Sequence, residues 1–218
     1  MRSQQSRIDI LLTGVGGQGT VLASRVLAEA ALKVGLATKT SETMGMAQRE
    51  GSVTSHVRIN TQVYSPLISK GQADLLVSLE PAEAVRNLAF LHHSGWLLVN
   101  TEAVIPVTVS AGLSKYNDDE IKAYLAACTR EDTGEERLIL IDGSKLAREA
   151  GSEKTLNSVM LGAVCGLGLL PMEQGVVLET LLRMVPPRTV EMNKKAFILG
   201  YEAISLRLAD RGCQYIKK

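Results

Sequence analysis

Ile8–Lys33, read as IDILLTGVGGQGTVLASRVLAEAALK, limits what this chain can fold into more than any other stretch. The apolar run Ile8–Leu12 has the length and branching of a buried strand. Gly14, Gly16, Gly17 and Gly19 follow within six positions. A helix with Val21, Leu22, Val26, Leu27 and Ala30 on its apolar face comes next. Strand, glycine turn and helix in that order give a G-x-G-x-x-G match its structural meaning. Glycines let backbone N–H groups approach an anion, and the helix turns its unpaired N–H groups and positive dipole end toward the same point. The alternative is a tight turn with no ligand, but three glycines beyond Gly14 exceed what a turn needs.

The remainder of the chain supports an α/β reading. A length of 218 residues suits one sizeable domain, expected to span 1–218 with a helical C-terminal part from about residue 144. Apolar residues make up 45% and aromatics only 4%, so the core should be filled by Val, Leu, Ile and Ala. Lys and Arg number 24 against 23 Asp and Glu, which leaves no basic surplus for bulk nucleic-acid binding. No apolar run approaches the roughly 20 residues of a membrane span. The polar start MRSQQSR has no apolar region behind it of the signal-peptide kind, so a soluble cytoplasmic protein is expected. Cys128, Cys165 and Cys213 are widely spaced and odd in number, which argues against a disulfide framework and an iron–sulfur cluster. Cys128 and Cys165 read as buried small hydrophobes.

In order, the first helix should end at Gly35, and Ala37–Ser41 should form a second strand. Glu42 at its end stands near where a dinucleotide fold holds a ribose hydroxyl. An eleven-residue loop, Glu42–Ser52, separates this strand from Val53–Asn60, and Gln62–Ser65 reads as the hairpin partner of the latter. His56 and Arg58 share one face there, which reads as a polar solvent face. Ala73–Leu79 is a buried strand, and Pro81 begins a helix expected to run to His92 and His93 before Gly95. Trp96–Asn100 is a further strand, Val107–Ser110 a candidate edge strand, Asp118–Cys128 a helix, Arg130–Glu136 a charged loop, and Leu138–Ile141 the last strand. Helices are expected at Ser144–Ala150, Leu156–Leu170, Glu173–Arg183 and Arg188–Arg211. Asn157 and Asn193 stand near two helix starts, where capping is the ordinary role.

The residue pattern lacks several catalytic arrangements. No Walker lysine follows the glycines, no G-x-S-x-G elbow occurs, and no His/Cys cluster has metal-ligand spacing. A phosphate-binding module serving another chain is easier to build from these residues than a self-contained catalyst.

Gly14-Val-Gly-Gly-Gln-Gly-Thr20, Met44-Gly-Met-Ala-Gln-Arg-Glu-Gly51, Ser55-His-Val-Arg58 and Tyr64-Ser-Pro-Leu-Ile68 resemble the small subunit of 2-oxoacid:ferredoxin oxidoreductases. The likeness is greatest to the indolepyruvate branch, and it continues through Asp142–Ala150, Asn157–Gly162 and Pro186–Asn193. It implies a three-layer α/β/α Rossmann-like fold with a mostly parallel sheet, one hairpin and a helical C-terminal part. It also implies a subunit of an enzyme that oxidatively decarboxylates a 2-oxoacid with coenzyme A, giving acyl-CoA, carbon dioxide and reduced ferredoxin. Thiamine diphosphate, magnesium and iron–sulfur clusters would then lie in partner subunits, with no catalytic residue in this chain.

Carried over by position, Gly14, Val15, Gly16, Gly17, Gln18, Gly19 and Thr20 would meet the CoA phosphates. Asn157 and Asn193 match family asparagines at that site. The position near Gln48 corresponds to a lysine in pyruvate-type relatives. This chain has Ala47-Gln48-Arg49 there, so Arg49 becomes the candidate cation, with Arg58 as a further phosphate partner. His56 is implied as a loop anchor or subunit contact. Helix Leu156–Leu170 and the Met44–Gly51 loop are implied contacts with the thiamine-binding subunit. Two other readings stay open: a free-standing NAD- or FAD-binding oxidoreductase using Gly14–Gly19 and Glu42, and a purely structural subunit.

Overall fold

The structure, a computed structural model, describes residues 7–44, 51–60, 64–105, 109, 116–129 and 137–210. Expectations for Gln48, Arg49 and most of the 44–51 loop fall outside those residues. So do those for positions 62–63, most of the candidate edge strand, the 130–136 loop and Cys213.

Six strands form one sheet in the order β2-β3-β1-β4-β5-β6. They are β1 (Ile8–Val15), β2 (Ala37–Met44), β3 (Ser52–Asn60), β4 (Ala73–Ser78), β5 (Leu91–Asn100) and β6 (Leu138–Ile141). β1–β4, β4–β5 and β5–β6 pair in parallel, whereas β3 runs antiparallel to both β1 and β2. The sheet is therefore mostly parallel, as expected, with the hairpin at one end.

Alternation along β1 makes the layers. Ile8, Ile10 and Leu12 point into one apolar cluster with Val26, Leu27 and Ala30, while Leu11 points into another with Leu76, Ala84 and Leu125. Helix α1 (Thr20–Lys33) and the C-terminal helices cover the first face. Those helices are α4 (Gly143–Ala150), α5 (Leu156–Gly166), α6 (Gln174–Met184) and α7 (Val190–Asp210). Helices α2 (Pro81–Asn87) and α3 (Asp118–Cys128) cover the second. This is the α/β/α sandwich expected for the fold class. Among the described residues no helix is long and apolar enough to cross a membrane.

Several local expectations are corrected. The hairpin partner of β3 is β2, which runs on to Met44 through an unbroken ladder, so Glu42 and Thr43 belong to a strand. Helix α2 stops at Asn87 and passes through a 3-10 turn, Leu88–Phe90, directly into β5. His92 and His93 are therefore the second and third residues of a strand rather than a helix end. Cys128 is exposed, while Cys165 is buried and its thiol is pushed up to about 12 by desolvation. Helix α5 ends at Gly166, and every residue from Leu156 to Cys165 is buried within this chain, so exposure in the expected Leu156–Leu170 contact is confined to its last five residues.

The burial of α5 depends on two glycines. A Cβ placed on Gly162 would lie 1.9 Å from the Phe197 carbonyl oxygen, and one on Gly200 would lie 2.0 Å from the Val159 oxygen. Helices α5 and α7 thus touch backbone to backbone, closer than the roughly 8–10 Å axis spacing set by ordinary side chains. Gly200→Ala should therefore cost roughly 3 kcal/mol and lower the thermal midpoint by about 6–12 °C. Gly175→Ala, where a Cβ meets nothing within 4 Å, should leave it unchanged or slightly raised. Equal melting of the two variants would contradict the close contact.

Candidate functional site

The C-terminal ends of β1 and β4 are neighbours whose following helices pack on opposite faces of the sheet. Such a divergence opens the crevice where open α/β sheets bind ligands. The glycine loop lies there. Gly14 and Val15 end β1, Gly16 and Gly17 are exposed, and Thr20 is the first residue of α1. Gly17 and Gly19 take φ of +96° and +85°, conformations that favour glycine over any residue with a Cβ. Gly19 is the N-cap of α1, and no side chain caps that helix.

The loop's shape is held from within. Gln18 Oε1 accepts from the Val15 N–H at 2.8 Å, and its Nε2 donates to the Leu79 carbonyl at 3.1 Å. The same carbonyl accepts from Asn100 Nδ2 at 3.1 Å. Gly16 N–H donates to Gly51 O at 2.9 Å, and Gln18 N–H to Val15 O at 3.2 Å. The Gln18 side chain therefore braces the loop and is not free to contact a ligand. The orientation of α1 still directs the first-turn N–H groups, which have no partner inside the helix, toward the crevice.

Asn157 reaches this point from the far half of the sequence. It is 4% exposed, its Oδ1 accepts from Ser158 N–H at 2.9 Å, and a Cβ on Gly19 would lie 2.5 Å from its Nδ2. The acceptor bond to Ser158 fixes which end of the amide faces the loop. Buried Ser158 donates through Oγ to Asn193 Oδ1 at 2.6 Å, and Asn193 Nδ2 donates to Thr189 O at 2.8 Å. Asn157 thus places an amide N–H donor beside the uncapped end of α1. Asn193 holds Ser158 and so orients Asn157. Neither acts as an N-cap: Thr155 precedes α5, and Asn193 is the fourth residue of α7.

Other residues singled out in the sequence lie elsewhere. Arg58 pairs bidentately with buried Asp9, Nε to Oδ1 at 2.9 Å and Nη2 to Oδ2 at 3.0 Å. Its Nη1 donates to the Ser65 and Leu67 carbonyls. Register places Arg58 opposite Asp9 and Val53 opposite Gly14, so Arg58 sits five residues, roughly 17 Å, from the loop. It is a structural cation and not a phosphate partner. His56 is 5% exposed, so its face is not a solvent face. Its Nδ1 accepts from Ile68 N–H at 3.2 Å and its ring meets Phe90 edge-on, which makes it an anchor for the segment after β3.

Glu42 is likewise moved off its expected place. In the sheet β3 stands between β1 and β2, with Glu42 opposite Ser55 and Ser55 opposite Leu12. Glu42 is thus two strand spacings, roughly 10 Å, from β1, and its carboxylate lies 3.7 Å from Arg25 of α1. A ribose-binding acid needs to sit on the strand next to the glycine turn. The insertion of β3 removes it from there, which disfavours the NAD or FAD reading.

Gln18, Asn157 and Asn193 carried signals in the sequence, whereas Asn100, Ser158, Glu83 and Asn87 escaped notice. Asn100 closes an apolar strand at the end where α/β folds place their ligands, and that position was a usable signal. Among the described residues no group of three or more His, Cys, Asp and Glu side chains could hold a metal ion.

Sheet order, glycine turn and the converging asparagines define a class. The chain belongs to the pyruvate ferredoxin/flavodoxin oxidoreductase family, whose model matches residues 9–203. It is 41% identical over 203 residues to the indolepyruvate oxidoreductase subunit IorB of Archaeoglobus fulgidus, covering 92% of this chain and 98% of that protein. The IorB subunit of Thermococcus kodakarensis is 38% identical over 196 residues, 89% of this chain and 95% of that one. Among solved structures, the keto/oxoacid ferredoxin oxidoreductase gamma subunit from Geobacter sulfurreducens superposes with a TM-score of 0.66 at 27% identity, covering 92% of this chain and 99% of that one. The fold also recurs in 2-oxoglutarate:ferredoxin oxidoreductase from Magnetococcus marinus, solved with 2-oxoglutarate, coenzyme A and succinyl-CoA bound. There the TM-score is 0.66 at 18% identity, and the match spans 93% of this chain but 32% of that one.

Burial lowers the His56 pKa below the ordinary histidine value, with the Arg58 charge adding to the effect. The unfolded chain binds a proton as pH falls through about 6.5, where folded His56 stays neutral. Its contribution to stability is therefore complete above about pH 6.5 and is lost as pH falls toward the depressed folded value. Denaturation midpoints measured between pH 8 and 5 should fall more steeply for the native chain than for His56→Gln, which keeps an acceptor for Ile68. Parallel curves would exclude His56 as the source.

Proposed function

We propose that this chain is the coenzyme A-handling small subunit of an indolepyruvate-type 2-oxoacid:ferredoxin oxidoreductase in the cytoplasm. One observation carries the reading: the Asn157 amide and the uncapped N-terminus of α1 converge on the glycine turn. Both are donors, and the helix end adds a partial positive charge of about half a unit. Such a site fits the diphosphate of coenzyme A. The oxidoreductase from M. marinus, which shares the fold, is described with coenzyme A bound.

In this reading coenzyme A supplies the acyl-accepting thiol, and this chain breaks no bond. Gly14–Thr20 form the cradle for the phosphates, in which the N–H groups at the start of α1 are the backbone donors, Asn157 adds an amide N–H, and Asn193 holds Ser158 beside it. Gln18 maintains the loop. Gln48 and Arg49 complete the proposal as the neighbouring polar and cationic contacts. Holding the acceptor in place raises its effective concentration at a reaction centre in another chain. Thiamine diphosphate with its magnesium, and the iron–sulfur clusters that pass electrons to ferredoxin, belong to partner subunits. This chain's task is to bind, orient and dock.

Asn157→Asp tests the reading in the assembled complex. The carboxylate keeps the acceptor for Ser158 and lies at the starts of α1 and α5, whose dipoles offset much of its desolvation cost, so the fold should persist with at most a modest fall in thermal midpoint. A negative charge beside the phosphate site should raise the KM for coenzyme A by about tenfold or more, with the KM for the 2-oxoacid unchanged. An unaltered KM for coenzyme A would overturn the assignment.

A further inference from the structure

Helix α2 lies across the sheet from α1, yet its polar side chains reach both strands that lead into the glycine turn. Glu83 is fully buried, and its Oε2 accepts from Ser52 Oγ at 2.6 Å. Its other oxygen pairs with Arg86. One turn on, Asn87 Nδ2 donates to Thr13 Oγ1 at 3.0 Å and to the Glu83 carbonyl at 2.9 Å. Thr13 directly precedes Gly14. Ser52 directly follows Gly51, whose carbonyl accepts the Gly16 N–H at 2.9 Å. At the start of the same helix Glu80 Oε2 accepts from the Glu83 N–H, and Glu80 Oε1 accepts from Tyr116 Oη. The carboxylate of Glu83 is thus held in a fixed position before it meets Ser52.

We infer that Ser52, gripped by Glu83, is a positioning residue for coenzyme A binding: it pins the Gly51 carbonyl against Gly16 and so sets the glycine turn in its anion-accepting shape. The inference rests on the coenzyme A reading and adds to it a device on the opposite face of the sheet. The geometry carries it. Gly16 is the exposed first residue of the turn and its N–H is engaged by Gly51, the last residue before β3. Register continues the contact, with Val15 opposite Ser52 and Gly14 opposite Val53. Without the tether at Ser52, Gly51 joins the free end of the ladder. Arg86 takes one oxygen of the buried Glu83 carboxylate and Ser52 satisfies the other, so the hydroxyl is held by a charged acceptor that has no water to turn to.

Ser52→Ala, Ser52→Thr and Asn157→Asp measured side by side in the assembled complex test the inference. Removing the hydroxyl should raise the KM for coenzyme A about fivefold, the equivalent of one lost hydrogen bond, with kcat at saturating coenzyme A within about twofold. The KM for the 2-oxoacid should not move. Ser52→Thr keeps an oxygen for Glu83 and should restore the KM for coenzyme A, which a merely structural role at this position would not require. Glu83→Gln, which retains an acceptor in the same shape, should also stay close to the native KM. If Ser52→Ala leaves that KM unchanged while Asn157→Asp raises it, the tether is refuted and the site stands. If neither variant moves it, the coenzyme A reading fails and the inference fails with it.

Discussion

Contact between α5 and α7 is the constraint on which the site depends. Ser158 and Asn193 can bond at 2.6 Å only because the two helices meet at the Gly162 and Gly200 backbones. With a methyl group at either glycine the axes must separate, and a side chain as short as serine would lose its partner. Asn157 would then keep only its bonds to the adjacent Ser158, from the N–H at 2.9 Å and Oγ at 3.4 Å, and nothing from α7 would hold that pair in place. A packing choice made at Gly162 and Gly200, five residues from Asn157 and seven from Asn193, thus bears on where an amide points beside Gly19. The physical order runs from glycine to helix spacing, to a buried hydroxyl bridge, and only then to a donor at the crevice.

A second constraint is the place of β3. A strand running antiparallel between β1 and β2 preserves the glycine turn of a dinucleotide fold and removes the acid that such a fold requires on the neighbouring strand. It also gives the turn something a simple βαβ unit lacks, a strand beginning at Ser52 whose preceding carbonyl bonds Gly16. The polar face of β3 is then available for anchoring. His56 takes the Ile68 N–H and Arg58 the Asp9 carboxylate, so the face that alternates as polar is satisfied internally instead of by water.

Much of this was legible in the sequence, and the reasons for the failures are physical. The glycine turn and the burial of the apolar run that begins at Leu156 follow from local patterns, and the mostly parallel sheet was implied by the family resemblance. Partner identity does not. Val53–Asn60 alternates whichever strand it pairs with, so choosing Gln62–Ser65 over β2 was decided by proximity alone, and the ladder went the other way. The extension of β5 back to Leu91 was hidden because His92, His93 and Ser94 break the apolar run, yet the register still aligns Leu91 with Ala73. Capping was the ordinary expectation for asparagines near helix starts, and it failed because the amides found stronger use between helices. The solvent-face reading of Arg58 and His56 failed for one shared reason, although the resemblance already implied His56 as a loop anchor: a charged or titratable group on a strand reads as exposed unless its partner, here Asp9 or the Ile68 N–H, is known.

The division of labour in the glycine turn follows from which groups are already used. A loop whose every donor was free would be flexible, and ordering it on binding would cost roughly 1–2 kcal/mol per residue. Here Val15, Gly16 and Gln18 spend their N–H groups on internal acceptors, and the Gln18 amide closes the turn onto the Leu79 carbonyl. That carbonyl is itself shared with Asn100, which also bonds Ser144 at the start of α4, so the turn is tied to β4, β5 and the C-terminal helices at one atom. The donors left over belong to the end of α1 and to Asn157, and both are carried by rigid elements. Preorganisation of this kind is what the coenzyme A proposal asks of the turn: a donor set whose geometry is fixed before an anion arrives.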